Sequence, residues 1–157
     1  MFSAREIIDI ALKIEQNGEA VYRKALKILV QPLLSERLTW MADEEARHRE
    51  WFQKFQSDLQ DDNQSLAVDE MSGSMLRDLV GEQSFSLQDI DFANVTDLAN
   101  LIDIFIEFER DGILFYEMLR SFIKKPDVLE HLDQIIIEEY QHIDTLKALK
   151  TAPPEIE

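Results

Sequence analysis

The strongest constraint in this chain is that it says one thing twice. "IEQNGEAVYRKAL" (residues 14–26) and "FERDGILFYEMLR" (residues 108–120) share the phrase apolar–Glu–x–x–Gly–x–x–x–Tyr. Glu15, Gly18 and Tyr22 recur 94 residues later as Glu109, Gly112 and Tyr116. The same offset carries residues 3–55 onto 97–149 without a gap. It matches Ile8 to Ile102, Asp9 to Asp103, Pro32 to Pro126, Glu36 to Glu130 and Leu38 to Leu132. A chain duplicated in this way must fold into two equivalent halves.

Each half reads as a helical hairpin. Ser3 and Glu6 form a capping-box pattern, and Ile7, Ile8, Ala11, Ile14, Val21, Tyr22, Ala25 and Leu29 follow at helical spacing. Pro32 ends that helix and suits the first turn of the next, where Leu34, Leu38, Met41, Ala42, Phe52 and Phe55 keep the period. Pro126 divides the second half in the same manner. The spacing predicts helices over about 4–30, 32–57, 97–124 and 126–150, in one domain spanning 1–157. The expected fold is all-α: a pseudo-two-fold four-helix bundle made of two antiparallel hairpins. A crossover over about 58–96 joins them, too long for a tight turn. Within it, Met71, Met75, Leu76, Leu79 and Val80 predict a short amphipathic helix ending near Gly81, read as a strap on the bundle.

Composition removes several function classes. The formal net charge of −16 leaves no basic footprint for nucleic acid or anionic lipid. No apolar run is long enough for a membrane span, and "MFSAREIIDI" has no signal-peptide pattern, so a cytoplasmic location is expected. With no cysteine, disulfides, thiol redox chemistry and thiolate metal sites are excluded.

Folding each hairpin at its proline brings Glu15 level with Glu45, and Glu109 level with Glu139. His48 and His142 follow the second glutamate of each pair by three residues, on the same helix face. Leu12 and Leu26 near Glu15, Leu38 near Glu45, Phe105 near Glu109 and Ile135 near Glu139 mark these faces as core-facing. A buried, unpartnered carboxylate can cost about 4–7 kcal/mol. Four would rival the whole stability of a domain, about 5–15 kcal/mol. Two divalent cations would balance four carboxylates, with the histidines as neutral ligands. Glu15, Glu45, His48, Glu109, Glu139 and His142 are therefore read as ligands of two metal ions. Glu45 and Glu139 are expected to bridge and Glu15 and Glu109 to be terminal; which terminal glutamate accompanies which histidine stays open. Oxygen and imidazole donors favour iron, with manganese and zinc as alternatives. Glu44 and Glu138, beside the motif, read as solvated.

This doubled pattern resembles the ferritin-like di-iron superfamily, especially rubrerythrin-related proteins, over nearly the whole chain. In those proteins helices one and three each give a glutamate, and helices two and four each give Glu-x-x-His. Two departures accompany the resemblance. Full-length rubrerythrins carry a cysteine-ligated, rubredoxin-like module, and this chain has no cysteine. Rubrerythrins proper also place a further glutamate where this chain has Gly112, so the six ligands look more like those of bacterioferritins.

Tyr22 and Tyr116 lie two turns beyond the terminal glutamates and are read as phenols hydrogen-bonding metal-bound carboxylates, the alternative being core tyrosines satisfied elsewhere. Gly18 and Gly112 either let helices approach or leave room for an oxidant. His131 reads as a surface residue, Trp40 and Trp51 as packing or subunit contacts, and Asp9 and Asp103 as contacts between helices or residues of iron entry. The function expected from the resemblance is a non-haem di-iron oxidoreductase reducing peroxide or dioxygen, with electrons from a separate donor protein. The alternatives are a ferroxidase or other iron-handling protein and a metal-free structural bundle. The presence of all six ligands argues against the metal-free reading, and an end at "TAPPEIE", without the further helix of cage-forming ferritins, against storage. A homodimer is the default expectation for assembly, with exchange of hairpins through the crossover as a variant of it.

Overall fold

The computed structural model describes residues 4–29, 31–59 and 98–151. Four helices account for most of them: α1 (Ala4–Leu26), α2 (Pro32–Asp58), α3 (Leu98–Arg120) and α4 (Pro126–Thr151). The strap helix expected near Met71–Val80, the Ser3 cap and the crossover lie outside the described residues. No helix among the described residues is long and apolar enough to cross a membrane.

α1 packs along α2 and α3 along α4, giving the two hairpins. The hairpins then meet through α1 against α3 and α2 against α4. Apolar residues at helical spacing fill the space between, including Ile7, Ile8, Leu38, Phe52, Phe105 and Tyr116, all essentially inaccessible. Leu12 and Leu26, expected to flank Glu15 in the core, are only half-buried at its edge.

The first and third helices end earlier than expected, at Leu26 rather than 30 and at Arg120 rather than 124. The cause is the same in both halves. Lys27 and Ile28 donate to the carbonyls of Lys24 and Ala25, three residues back, and Ser121 and Phe122 do likewise to Met118 and Leu119. These tighter bonds close the helix. Gln31 is extended (φ −74°, ψ 125°), as a residue before proline tends to be. The apolar period continues past the helix ends because Leu29 and Ile123 still pack on the core from the turns.

The matched aspartates make contacts between helices. Asp9 accepts from the Gln56 side-chain amide at 2.6 Å, and Asp103 from Lys150 Nζ at 2.7 Å. The halves differ elsewhere. Glu19 pairs with Arg23 (3.5 Å) and Arg49 (2.9 Å), and Arg23 with Asp43 (3.1 Å). In the second half the positions of Glu19 and Arg49 are held by buried isoleucines, Ile113 and Ile143. Trp51 packs against Phe52 and Phe55, and exposed His131 stacks on its face with centroids 4.4 Å apart.

Phe52 is fully buried and its ring lies 5.4 Å from that of Tyr116, so it ties α2 to α3. Phe52→Ala is expected to lower unfolding free energy by about 3–5 kcal/mol in urea titrations. A loss below about 1 kcal/mol would show that the core does not depend on this contact.

Candidate metal centre

All six residues singled out from the sequence meet at one level of the bundle. α1 brings Glu15, α2 brings Glu45 and His48, α3 brings Glu109, and α4 brings Glu139 and His142. Each is at most 3% exposed, since each occupies a helix position in phase with the apolar stripe.

Their donor atoms fall into two sets. Glu15, Glu45, His48 and Glu139 form one, and Glu45, Glu109, Glu139 and His142 the other; within each, one atom per residue lies within 4.8 Å of the rest. Glu45 and Glu139 belong to both sets, so both are placed to bridge two ions. The sets also group the residues whose pairing the sequence left open: Glu15 falls with His48, and Glu109 with His142.

The orientation of these atoms is that of ligands facing a common point. His48 Nδ1 lies 2.8 Å from Glu139 Oε1, and His142 Nδ1 lies 3.0 Å from Glu45 Oε1. Yet His48 Nδ1, Glu139 Oε1 and Glu45 Oε1 lack a hydrogen bond of acceptable direction, as do Glu15 Oε2 and Glu109 Oε2. Five orphaned buried polar atoms at one level are costly unless something else satisfies them. A pair of divalent cations fits this all-oxygen-and-imidazole set.

Around the donors, the contacts cross from one hairpin to the other. Tyr22 donates its hydroxyl to Glu109 Oε1 and Tyr116 donates to Glu15 Oε1, both at 2.5 Å. His48 Nε2 lies 2.7 Å from Glu138 Oε2, and His142 Nε2 lies 2.7 Å from Glu44 Oε2. Each of these carboxylates accepts from an Nε2 that carries a proton, which leaves Nδ1 as the nitrogen facing the donor sets; His142 Nδ1 also lies 3.3 Å from Glu109 Oε1. Glu44 and Glu138 are thus not solvated residues, as their place beside the motif had implied. Glu44 is buried and Glu138 half-buried, because α2 and α4 run antiparallel and set each glutamate opposite the other helix's histidine. Trp40, 36% exposed, meets the edge of His142 at a centroid distance of 5.3 Å.

Without metal this cluster must share protons. Burial, and then the charges of Glu139 and Glu15, push Glu45 well above the ordinary carboxylate range. Burial and Glu109 do the same to Glu139. Glu109 goes the other way, to about 2: burial opposes its anion, but hydrogen bonding from Glu139, the charge of His142 and the Tyr22 hydroxyl outweigh burial. Both histidines are raised, because neighbouring carboxylates, Glu15 for His48 and Glu109 for His142, overcome the desolvation that would lower them.

Comparison with known proteins agrees with this geometry. The Rubrerythrin family model matches residues 6–150. The chain belongs to the rubrerythrin family. No curated protein sequence matches it significantly. Among solved structures it is similar to a Thermotoga maritima protein described as a candidate ferritin-like diiron-carboxylate protein, at TM-score 0.68 and 22% identity over 95% of each chain. That likeness establishes the architecture, an all-α ferritin-like bundle.

The two glycines of this rubrerythrin-family site are not equivalent. A Cβ on Gly18 would sit 3.0 Å from Glu45 Oε2 and 3.2 Å from Phe108, so Gly18 permits a close approach. A Cβ on Gly112 would meet only Ile14, at an ordinary 3.4 Å. Gly112→Ala should therefore stabilise metal-free protein by up to about 1 kcal/mol through helix propensity. Gly18→Ala should displace Glu45 and weaken metal uptake. Thermal melts with and without added metal measure both, and equal behaviour of the two variants would contradict the asymmetry.

Proton sharing also sets a pH dependence. Glu45, Glu139, His48 and His142 are raised above their ordinary values of 4.5 and 6.5. Their contribution to stability is complete below those values and is lost as pH climbs through the folded-state values. Glu109 works in the opposite sense, but only below 4.5. Chelator-treated protein should thus lose stability in urea midpoints as pH rises above these ordinary values, a trend that bound metal suppresses. Rising metal-free stability over that range would contradict the proton-sharing account.

Proposed function

We propose that this chain is a non-haem di-iron oxidoreductase that reduces peroxide or dioxygen with electrons from a separate donor protein. The observation that carries the reading is the pair of four-residue donor sets sharing Glu45 and Glu139. Two ferrous ions bound there would supply the two electrons that reduce hydrogen peroxide, with two protons, to water.

The chain's own residues supply geometry, charge and exclusion of water. Glu45 and Glu139, shared by both donor sets, would hold both ions, and Tyr22 and Tyr116 restrict the rotation of Glu109 and Glu15. Both tyrosines stay protonated, because burial and then the adjacent carboxylates, Glu109 for Tyr22 and Glu15 for Tyr116, push each hydroxyl well above its ordinary range. They therefore act as fixed hydrogen-bond donors. Phe105 packs edge-on against Tyr22, and Phe108 lies beside Gly18 next to Glu45, so apolar surface borders this level. Metal binding would have to displace the protons favoured on Glu45 and Glu139, so uptake is expected to strengthen with rising pH.

Ferrous ion titrated under air into wild-type protein and a Glu45→Ala/Glu139→Ala variant tests the reading. Retention is expected to saturate near two irons per chain in the wild type and to vanish in the variant. Peroxide or dioxygen consumption with an added reductant should track the retained iron. Uptake continuing far beyond two would instead support iron handling, and no specific uptake at any pH would remove iron as the reason for the buried glutamates.

A further inference from the structure

Outside the six buried residues, α2 and α4 carry an outward layer of charge. Glu44 and Glu138 each use one oxygen, Oε2, to accept a histidine Nε2–H. Their other oxygens face the same atom. Arg47 Nη2 lies 3.2 Å from Glu44 Oε1 and 3.7 Å from Glu138 Oε1. A continuous chain of contacts therefore runs His142–Glu44–Arg47–Glu138–His48 across the α2/α4 face. The duplication does not repeat this cation, for the position matching Arg47 on α4 is Gln141. One guanidinium serves both copies of the motif.

We propose that Arg47 is the positioning residue for both histidines, holding Glu44 and Glu138 so that each imidazole keeps its Nδ1 turned toward the metal positions. The inference rests on the reading of the six buried residues as ligands. Its physical basis is simple. The side chains of Glu44 and Glu138 are 10% and 16% exposed, so each has an outlet to water if nothing holds it. Their charges repel one another, and both stand outside four more carboxylates. A guanidinium is charged at every relevant pH, and here its Nη2 stands between the two carboxylates. An imidazole whose Nε2–H loses its acceptor is no longer fixed in tautomer or ring orientation. Because one cation sits between both acceptors, its loss reaches both rings.

The test is nitrogen-15 NMR of the histidine rings in the full chain, metal-free and cobalt(II)-loaded, reading solvent exchange of the two Nε2–H protons. The variants are Arg47→Gln, which copies the second half, Arg47→Lys, and Arg110→Gln, which removes an equal charge from an exposed pair with Glu107. Arg47→Gln is expected to speed exchange of both protons about tenfold and to weaken cobalt affinity by about the same factor, the lower end for partners of metal ligands. Arg47→Lys should recover part of both effects, since it keeps the charge without the planar fork. Arg110→Gln should leave both protons unmoved. Unchanged exchange in Arg47→Gln, a response of the His142 proton alone, or an equal response in Arg110→Gln would each overturn the proposal. The metal-free arm reads the contact chain without any ion. Failure of the ligand assignment would show separately, as absence of cobalt uptake by wild-type protein.

Discussion

The structure is organised around a repulsion. Glu15, Glu45, Glu109 and Glu139 are removed from water at one level of the bundle, where like charges are least screened. Everything near them answers that problem. The histidines bring positive charge when protonated, the tyrosine hydroxyls donate to Glu109 and Glu15, and Glu45 and Glu139 are pushed toward holding protons. The surrounding apolar packing keeps water away from these charges and so makes the repulsion strong.

Much of this was legible in the sequence because the chain is duplicated. A single Glu-x-x-His on a helix says little, but two copies, each preceded by a core glutamate at the same interval, define a level and a set of six. The hairpins followed from Pro32 and Pro126. Glu44 and Glu138 were not legible, since a residue next to a ligand points about 100° away from it on the helix and reads as a solvated face. Only the antiparallel meeting of α2 and α4 shows that this direction leads to the other helix's histidine. The early ends of α1 and α3 were hidden for a related reason: Leu29 and Ile123 keep the apolar rhythm while the backbone has already turned.

The halves have diverged where the site permits it. Glu19 and Arg49 pair by charge in the first hairpin, whereas the matching positions of the second hold the buried apolar residues Ile113 and Ile143. Gly18 is confined by Glu45 and Phe108, whereas Gly112 has ordinary room. The six candidate ligands remain matched, and so do the tyrosines that bond Glu109 and Glu15.

Those tyrosines cross over: each reaches the terminal glutamate of the opposite hairpin, and the outer glutamates reach the opposite histidine in the same way. Neither hairpin alone can therefore complete its half of the centre. A hairpin meeting an identical twin could, because every crossing contact would be supplied by symmetry. In evolutionary terms, a short ancestral gene encoding one hairpin would already have encoded the whole centre as a dimer. Fusion of two copies would then have added no ligand; it would have released the copies from identity, so that a single unmatched side chain such as Arg47 could serve both.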